Sequence, residues 1–223
     1  MKRSELAALI DHTLLGPTAS RAGVKRLCEE ALRYKVAAVC VNPCHVALAR
    51  EYVQGSTVKT CAVIGFPHGM TTSKSKAFEA QNAIAVGTDE LDMVINIAAL
   101  KEGDFSEVVD DIRAVCEAAN AAPRPVRVKA ILEMALLTEE EKIAGAILAK
   151  AAGAHYVKTS TGYGPGGATV EDVTLLRKIV GDGMGVKAAG GIRDAKTATA
   201  MVEAGANRIG ASRTVEILEG VDA

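Results

Sequence analysis

The segment Val126–Ser160, "VRVKAILEMALLTEEEKIAGAILAKAAGAHYVKTS", contains the alternation of elements that decides the fold. Its two ends, "VRVKAILE" and "HYVKTS", are short and mostly apolar, which predicts two buried strands. Between them, Thr138–Ala151 is amphipathic, and Thr138 with Glu141 forms the pattern of a capping box at a helix N-terminus. Gly153 then allows the helix to end in a left-handed conformation. The segment therefore predicts a strand–helix–strand unit with parallel strands.

The same alternation continues along the chain of 223 residues. We predict eight strands, at "LIDHTLL" (9–15), "AAVCVN" (37–42), "KTCAVIGF" (59–66), "ELDMVIN" (90–96), "VRVKAILE" (126–133), "HYVKTS" (155–160), "GVKAAG" (185–190) and "NRIGAS" (207–212). We predict helices at Ser20–Tyr34, Ser73–Val86, Phe105–Ala119, Thr138–Ala151, Val170–Val180 and Thr197–Ala204. Eight such units without a linker favour an α/β fold, a closed (β/α)8 TIM barrel that forms a single domain over residues 1–223. A count of seven strands would instead fit an open, doubly wound sheet.

The composition indicates a sizeable core and no strongly charged partner. Hydrophobic residues make up 49% of the chain, and 26 Lys and Arg stand against 27 Asp and Glu. The net charge of −1 gives no electrostatic reason to expect a nucleic acid or a membrane as partner. Because no apolar run reaches about 18 residues and the N-terminus has no signal-like apolar stretch, we expect a soluble, cytoplasmic protein.

The cysteines predict reduced thiols, because their number is odd and the chain has no secretory features. They are Cys28, Cys40, Cys44, Cys61 and Cys116. The segment "CVNPCH" (40–45) resembles half of a metal site, but no second Cys/His pair occurs at ligand spacing, so we predict no structural zinc.

Polar side chains interrupt several predicted strands near their C-terminal ends, where a barrel carries its catalytic groups. They are Asp11 on the first strand, Asp92 and Asn96 on the fourth, Lys129 and Glu133 on the fifth, Lys158 on the sixth and Lys187 on the seventh. Any one of them could belong to a buried ion pair that braces the barrel. Because buried charges cost several kcal/mol unless they are paired, a cluster of three lysines and at least two acids is better explained by chemistry.

Lys158 and Lys187, on consecutive predicted strands, suggest covalent catalysis by an amine. A free lysine has a pKa of about 10.4, so it is almost fully protonated at neutral pH and does not attack a carbonyl. Burial lowers such a pKa, and a second ammonium at roughly one strand spacing, about 4.8 Å, lowers it further. With Asp92 to move protons together with the second lysine, the pattern predicts Schiff-base catalysis. A surface lysine or a phosphate ligand fits Lys158 less well, because its strand is otherwise apolar and glycine loops follow the later strands.

Glycines after the last two predicted strands suggest a phosphate-binding site. They occur in "AAGGIR" (188–193) and "IGASR" (209–213). In (β/α)8 barrels these two loops often bind phosphate through main-chain N–H groups. The alternative is that tight turns need glycine for steric reasons, but the predicted barrel favours the phosphate site. The loop "STGYG" (160–164) could add a further N–H or hydroxyl group.

Gly162, Gly164 and Gly167 also satisfy the G-x-G-x-x-G pattern of dinucleotide-binding proteins, with Asp182 about twenty residues later. Pro165 interrupts that turn, however, and no acidic residue ends the following strand. We therefore interpret these glycines as a loop of the barrel.

Five blocks of the sequence resemble the signature blocks of the deoxyribose-phosphate aldolase family, class I aldolases that form a Schiff base. The blocks are "IDHTLL", "DELDMVIN", "VKTSTGYGPGGAT", "VKAAGGIR" and "RIGAS". They occur in the family's order, and the two lysine-centred blocks are the specific ones. The resemblance implies reversible cleavage of 2-deoxy-D-ribose 5-phosphate to D-glyceraldehyde 3-phosphate and acetaldehyde, a step of deoxyribonucleotide catabolism, with no cofactor and no metal ion.

The resemblance also implies roles for individual residues. Lys158 would be the Schiff-base nucleophile, and Lys187 would perturb it and join Asp92 in proton transfer. The phosphate site would consist of Gly162, Gly190, Gly191, Gly210 and Ser212. The supporting polar network would consist of Asp11, Thr13 and Lys129. The expected partners are the small-molecule phosphosugar and acetaldehyde, and because barrels of this kind often pair, we also expect a homo-oligomer, either a dimer or a tetramer.

Three positions depart from the family pattern. Met134 stands where many members have threonine, Ala98 or Ala99 where glycine is common, and Tyr163 where some members have a lysine. Tyr163 therefore removes one phosphate contact. These departures concern contacts to the substrate and leave the predicted reaction type unchanged.

Two other functions fit parts of the sequence. A different phosphosugar barrel enzyme, such as a transaldolase-like enzyme or an isomerase, would turn over ketose phosphates and would not use acetaldehyde. A non-catalytic dinucleotide-binding or regulatory module built on "GYGPGG" would bind NAD without forming an imine.

Overall fold

This computed structural model describes residues 1–221, in which eight parallel strands close into a barrel. The strands are β1 (Ile10–Leu14), β2 (Ala38–Val41), β3 (Lys59–Ile64), β4 (Glu90–Val94), β5 (Arg127–Ile131), β6 (Tyr156–Lys158), β7 (Gly185–Ala189) and β8 (Arg208–Ala211). Each strand pairs with the next one along the chain, and β8 pairs with β1 to close the sheet. All eight predicted strands and the predicted (β/α)8 barrel are thus confirmed.

Helices cover the outside of the barrel. They are α1 (Arg3–Ala7), α2 (Arg21–Tyr34), α3 (Val46–Val53), α4 (Ser73–Ala85), α5 (Ile97–Glu102), α6 (Phe105–Asn120), α7 (Glu139–Ala151), α8 (Val170–Val180), α9 (Ala195–Glu203) and α10 (Thr214–Glu219). Single turns of 3-10 helix follow β2 and β5, at Pro43–His45 and Met134–Leu136. The six predicted helices are confirmed, whereas the short helices α1, α3, α5 and α10 were not among them, because so few residues show little helical period. Within residues 1–221, no helix is long and apolar enough to cross a membrane.

Local sequence signals explain where helix α7 begins and ends. The hydroxyl of Thr138 accepts the N–H of Glu141, and the Glu141 carboxylate accepts the N–H of Thr138 at 2.8 Å, so the predicted capping box is formed. Gly153 follows the helix with a φ of 90°, a conformation that disfavours residues with a Cβ atom. The chain can therefore turn at once into β6.

Side chains alternate along each strand, so the strands border two buried regions. One lies between the barrel and the helices, and the other lies inside the barrel. Outward-facing residues of β2 and β3, such as Val39, Val41 and Ala62, pack under the helices in the main hydrophobic core. Inward-facing residues on the same side of the barrel belong to a separate small apolar cluster, Leu15, Ala38, Cys40, Cys61 and Val63. The rest of the barrel interior contains buried charged side chains, and these side chains form the candidate site.

A buried ion pair outside the barrel ties β4 to two helices. Lys76 of α4 is fully buried, and its Nζ donates to the carboxylate of Asp111 on α6 at 2.6 Å and to the main-chain oxygen of Val94 at 2.8 Å. The Asp111 carboxylate also accepts the N–H of Asn96 at 2.9 Å. Burial lowers the pKa of Lys76 and raises the pKa of Asp111, so burial disfavours the charged form of both groups. The charge of each group opposes this effect on the other.

We predict that Lys76→Met destabilises the protein, because the Asp111 carboxylate is then buried without its partner. Loss of one partner of a buried ion pair costs about 3–5 kcal/mol of the free energy of unfolding. Urea denaturation followed by circular dichroism measures this quantity.

The matched control is Lys74→Met, since Lys74 lies on the same helix but is exposed. It is expected to change the free energy of unfolding by no more than about 0.5 kcal/mol. The double variant Lys76→Met/Asp111→Leu should recover much of the loss. Equal stability of Lys76→Met and Lys74→Met would contradict the prediction.

Candidate active site

The carboxylate of Asp92 lies at the centre of a charged cluster inside the barrel. One of its oxygens accepts hydrogen bonds from Lys129 Nζ at 2.7 Å and from the Cys61 thiol at 3.1 Å. The other oxygen accepts from Lys158 Nζ at 2.8 Å and from Lys187 Nζ at 2.6 Å. Lys158 and Lys187 are direct neighbours in the register of β6 and β7. The two amines predicted to act together thus lie within hydrogen-bonding distance of one oxygen atom.

A second carboxylate, that of Asp11 on β1, extends the cluster. It accepts hydrogen bonds from Lys187 Nζ and from Arg208 Nη1, the latter at 2.6 Å, and Lys129 Nζ lies 3.5 Å away. The Thr13 hydroxyl donates to the main-chain oxygen of Asp11 at 2.9 Å. The predicted supporting network of Asp11, Thr13 and Lys129 therefore surrounds the lysine pair.

Two members of the cluster, Glu90 and Arg208, were not predicted from the sequence. The guanidinium of Arg208 donates to both carboxylate oxygens of Glu90, at 3.0 and 3.1 Å, and Lys129 Nζ lies 2.6 Å from the same carboxylate. Their spacing in the sequence could have identified them. Glu90 precedes Asp92 by two residues, and Arg208 precedes Gly210 by two. Because side chains two apart on a strand share a face, both residues had to point into the barrel.

The close contacts keep several of these groups ionised. Burial alone would raise the pKa of Asp92, but Lys129, Lys158 and Lys187 outweigh it and hold that pKa well below its usual range. The pKa of Asp11 is lowered in the same way against the effect of burial. Burial alone would lower the pKa of Lys187, but the carboxylates of Asp11 and Asp92 raise it above its usual value. Lys187 is therefore an ammonium ion beside Lys158.

A cavity of about 290 Å³ opens next to the cluster at the C-terminal ends of the strands. Of the four cationic side chains of the cluster, Lys158 lines the cavity, whereas Lys129, Lys187 and Arg208 do not. All of the glycines and the serine predicted for the phosphate site line the same cavity, together with Thr13 and Tyr163. These residues are Gly162, Gly190, Gly191, Gly210 and Ser212. The structure thus brings the predicted nucleophile and the predicted phosphate site to one cavity.

Main-chain geometry makes this part of the cavity suitable for an anion. Gly190 and Gly191 have φ values of 88° and 78°, so both require the freedom of glycine. A Cβ atom on Gly210 would lie 2.9 Å from Ala189 and 3.1 Å from the Lys187 side chain. Among the hydrogen bonds of residues 1–221, none uses the N–H of Gly191 or Ser212. These N–H groups are available to a phosphate oxygen.

Two polar residues that were predicted to face the barrel mouth do not join the cluster. Asn96 lies just beyond β4, and its side-chain oxygen accepts the N–H of Ala99 as the N-cap of α5, at 3.2 Å. Glu133 lies just beyond β5 with a φ of 57°, and its carboxylate accepts the N–H and the hydroxyl of Thr161. Both act in the loops, because the strand period no longer applies where the backbone turns.

The glycine-rich loop after β6 packs closely against other loops. A Cβ atom on Gly164 would lie 2.8 Å from the Glu133 side chain, and one on Gly167 would overlap the main chain of Gly190. Helix α8 begins only after the N-cap residue Thr169. Close packing therefore accounts for these glycines, in agreement with their interpretation as a barrel loop.

The positions that depart from the family pattern lie in different surroundings. Tyr163 borders the cavity and packs edge-to-face on Phe66, with ring centroids 5.4 Å apart. Met134 is fully buried, and Ala98 lines a neighbouring apolar cavity of about 640 Å³. Ala99 is buried in helix α5. Only Tyr163 among them borders the cavity of Lys158.

Within residues 1–221, two groups of side chains place possible metal ligands close together. They are Cys40, Cys61 and Asp92, and Asp11, Cys61 and Glu90. The carboxylates in both groups already accept hydrogen bonds from lysine or arginine, so a metal ion would have to displace an ammonium or a guanidinium. Cys40 is buried and Cys44 is exposed, so the two thiols of the "CVNPCH" segment lie in different environments.

Comparison with known proteins agrees with this geometry. A model of the DeoC/LacD family aldolases matches residues 6–221. The chain is 52% identical to the deoxyribose-phosphate aldolase of Clostridium perfringens over 220 residues, which cover 99% of this chain and 97% of that protein. It is 56% identical to the deoxyribose-phosphate aldolase of Thermococcus gammatolerans over 218 residues, 97% of this chain and 96% of that protein.

A solved structure has the same fold over almost the whole chain. The tetrameric deoxyribose phosphate aldolase of Aeropyrum pernix matches with a TM-score of 0.91 and 34% sequence identity, covering 98% of this chain and 91% of that one. The likeness therefore extends through the whole barrel, including the strands that carry the lysine cluster. By the match to the family model and these identities over nearly the full length, the chain belongs to the DeoC/LacD family of aldolases.

Proposed function

We propose that this protein is a class I aldolase that reversibly cleaves 2-deoxy-D-ribose 5-phosphate to D-glyceraldehyde 3-phosphate and acetaldehyde. The observation that carries the proposal is that the amine of Lys158 borders a cavity while the ammonium of Lys187 binds the same carboxylate oxygen. The names of the relatives support the substrate. The proposed role is the breakdown of deoxyribonucleotides, and residues 1–223 act as one catalytic domain.

The reaction begins when the unprotonated amine of Lys158 attacks the C1 aldehyde of the open-chain sugar. The new C–N bond gives a carbinolamine. Because Lys187 does not line the cavity, it donates a proton to the carbinolamine oxygen through a bridging water molecule, and the hydroxyl leaves as water. The product is an iminium ion on Lys158, and Lys187 is left as a neutral amine. Because both nitrogens lie beside Asp92, the positive charge moves from one to the other without changing the charge of the cluster.

The carbon–carbon bond breaks in the next step. The neutral amine of Lys187, oriented by Asp92, takes the proton of the C3 hydroxyl through the same water molecule, and the electrons of the C2–C3 bond move to the iminium. Glyceraldehyde 3-phosphate leaves, and an enamine remains on Lys158. Lys187 returns the proton to C2 by the same route, and water hydrolyses the iminium to acetaldehyde and free amine. The proton released in this hydrolysis returns to Lys187, which is again an ammonium ion. General acid–base help of this kind contributes about 10²–10⁴-fold to the rate.

The glycine loops supply the binding energy for the phosphate. The free N–H groups of Gly191 and Ser212, with the Ser212 hydroxyl, bind phosphate oxygens, and Gly162, Gly190 and Gly210 let the main chain approach closely. This binding positions C1 against the amine, so that remote contacts are used to lower the barrier.

We predict that borohydride with acetaldehyde traps a two-carbon adduct on the peptide that contains Lys158. The trapped species is the imine reduced to a secondary amine, so mass spectrometry of a digest locates it. Lys158→Met should lose the adduct and the cleavage of deoxyribose 5-phosphate together.

Lys196→Met is the matched control, since Lys196 is an exposed lysine on α9. It is expected to keep the adduct and the activity. An adduct on another lysine would refute the assignment of Lys158. Activity is expected to survive EDTA, and a loss that zinc restores would indicate a metal-dependent aldolase instead.

A second prediction concerns the phosphate site. Ser212→Ala is expected to raise KM for 2-deoxyribose 5-phosphate while kcat/KM for unphosphorylated 2-deoxyribose stays near the wild-type value. One lost hydrogen bond to a charged group corresponds to about 1.5–3 kcal/mol, or roughly 10- to 150-fold in kcat/KM. Steady-state kinetics on both sugars measure the difference, and an equal loss on both sugars would place Ser212 outside the phosphate site.

We also propose that the protein forms a homo-oligomer, either a dimer or a tetramer. The tetrameric assembly of the aldolase from Aeropyrum pernix supports this proposal. Sedimentation velocity at micromolar concentration is expected to give a mass of two or four chains of 23.1 kDa. A single species of one chain would contradict it.

A further inference from the structure

Glu133 has no part in the reaction steps above, yet its conformation and its burial are both unusual. It lies just beyond β5 with φ and ψ values of 57° and 60°, a left-handed conformation that a residue with a Cβ atom rarely adopts. Only 3% of the residue is exposed. Such a conformation persists only where the surroundings fix it, so the contacts of the side chain should account for it.

The Glu133 carboxylate bonds to a single residue within residues 1–221, Thr161 in the turn after β6. One carboxylate oxygen accepts the Thr161 N–H at 3.2 Å and also accepts the Thr161 hydroxyl. The other oxygen has no hydrogen-bond partner among these residues, and no lysine or arginine among them pairs with the carboxylate. Because a buried carboxylate without a cation is costly, ion pairing does not explain Glu133. Its bonds to Thr161 are what it contributes.

These bonds fix the turn that begins three residues after Lys158. A hydroxyl has one proton, and Thr161 donates it to Glu133, so the Thr161 oxygen is left to accept the Tyr163 N–H at 3.0 Å. Gly162 lies between them with a φ of 86°. Among the hydrogen bonds of residues 1–221, none uses the N–H of Gly162. The direction of this free N–H is therefore set by its two neighbours.

The turn forms part of the wall between two cavities. Thr161 and Tyr163 line both the cavity of Lys158 and the neighbouring apolar cavity of about 640 Å³. Gly162 lines only the cavity of Lys158, whereas Glu133 lines only the apolar one. Any effect of Glu133 on a ligand in the cavity of Lys158 must therefore pass through the turn.

We propose that Glu133 is a positioning residue that sets the affinity for a phosphorylated ligand. Its bonds to Thr161 hold the Gly162 N–H towards the phosphate site, where a Cβ atom on Gly162 would lie 3.9 Å from the Cα atom of Gly190. The identity of the phosphorylated ligand rests on the proposed function. The effect of Glu133 on the phosphate site can be measured without catalysis.

Three variants separate the hydrogen bonds from other effects of the side chain. Glu133→Met removes both bonds and keeps a side chain of similar length. Glu133→Gln keeps an oxygen that can accept from Thr161, so it is expected to behave like the wild type. Glu141→Met is the matched control, because the Glu141 carboxylate also accepts a main-chain N–H, that of Thr138, but Glu141 lines neither cavity.

The first measurement is a selectivity, kcat/KM for 2-deoxyribose 5-phosphate divided by kcat/KM for unphosphorylated 2-deoxyribose. We expect it to fall about tenfold in Glu133→Met, as for one lost hydrogen bond to a charged group, and to change less than about twofold in Glu133→Gln and Glu141→Met. A residue that only stabilised the fold would lower both values of kcat/KM together and leave their ratio unchanged.

The second measurement is the Kd of inorganic phosphate, determined by isothermal titration calorimetry. It is expected to rise about tenfold in Glu133→Met and to stay near the wild-type value in Glu133→Gln and Glu141→Met. Ser212→Ala should also weaken this binding, which assigns it to the cavity of Lys158. Phosphate binding that Ser212→Ala leaves unchanged would place the anion elsewhere and overturn the inference.

Gly164→Ala provides a second test if Glu133→Met does not fold. A Cβ atom on Gly164 would lie 2.8 Å from the carboxyl carbon of Glu133, so it would displace the carboxylate from Thr161 without changing Glu133 itself. Gly164 does not line the cavity of Lys158. We expect Gly164→Ala to lower the selectivity and to weaken phosphate binding, as Glu133→Met does.

Equal losses on both sugars, or no change of selectivity and phosphate binding in the folded variants, would overturn the inference. A loss in Glu133→Gln as large as that in Glu133→Met would also overturn it, because the acceptor oxygen is kept. Weaker phosphate binding in Glu133→Met, with no cleavage of either sugar by the wild type, would uphold the inference and refute the proposed function. Cleavage by the wild type with unchanged selectivity in Glu133→Met would do the reverse.

Discussion

The carboxylate of Asp92 is the group on which the interior of this barrel depends, because three lysine side chains bind it. Buried charges in a region closed to water cost several kcal/mol each without a partner. Asp92 makes their burial possible, and the lysines in return keep Asp92 ionised. Each group is tolerated inside the barrel only because the others are present.

The interior of a (β/α)8 barrel is usually filled by layers of bulky apolar side chains. Here that filling is confined to the side of β1, β2 and β3, where Cys40, Cys61 and Val63 pack together. Charged side chains occupy the other side and are fixed by ion pairs. Such fixed dipoles and charges need little reorganisation during a reaction, which favours a site where charge moves between two nitrogens.

The four cations of the cluster differ in how many carboxylates bind them and in whether they reach the cavity. Lys129, Lys187 and Arg208 are each bound by two or more carboxylates, whereas Lys158 is bound by Asp92 alone and borders the cavity. The strands β7 and β8 continue into glycine turns that line the same cavity. The cavity therefore has one buried amine and main-chain N–H groups of glycine turns on its walls.

Much of this arrangement could be predicted from local patterns. Apolar runs bounded by turns indicated the eight strands, and the lysine-centred blocks indicated the pair at the centre. Glu90 and Arg208 were missed because only residues at the strand ends were considered, although the period of two pointed to both. Asn96 and Glu133 were assigned to the strand faces, but the backbone has already turned at both positions, so their side chains serve the loops.

The sequence by itself determined the order of strands and helices, because apolar period, capping residues and glycine turns act over a few neighbouring residues. It also placed Lys158 and Lys187 on adjacent strands, since consecutive parallel strands of a barrel pair with each other. Only the tertiary structure decided which lysine borders the cavity and which carboxylate each cation binds. Asp11 and Arg208 are 197 residues apart and meet only when β8 closes against β1, so no local pattern contains their contact.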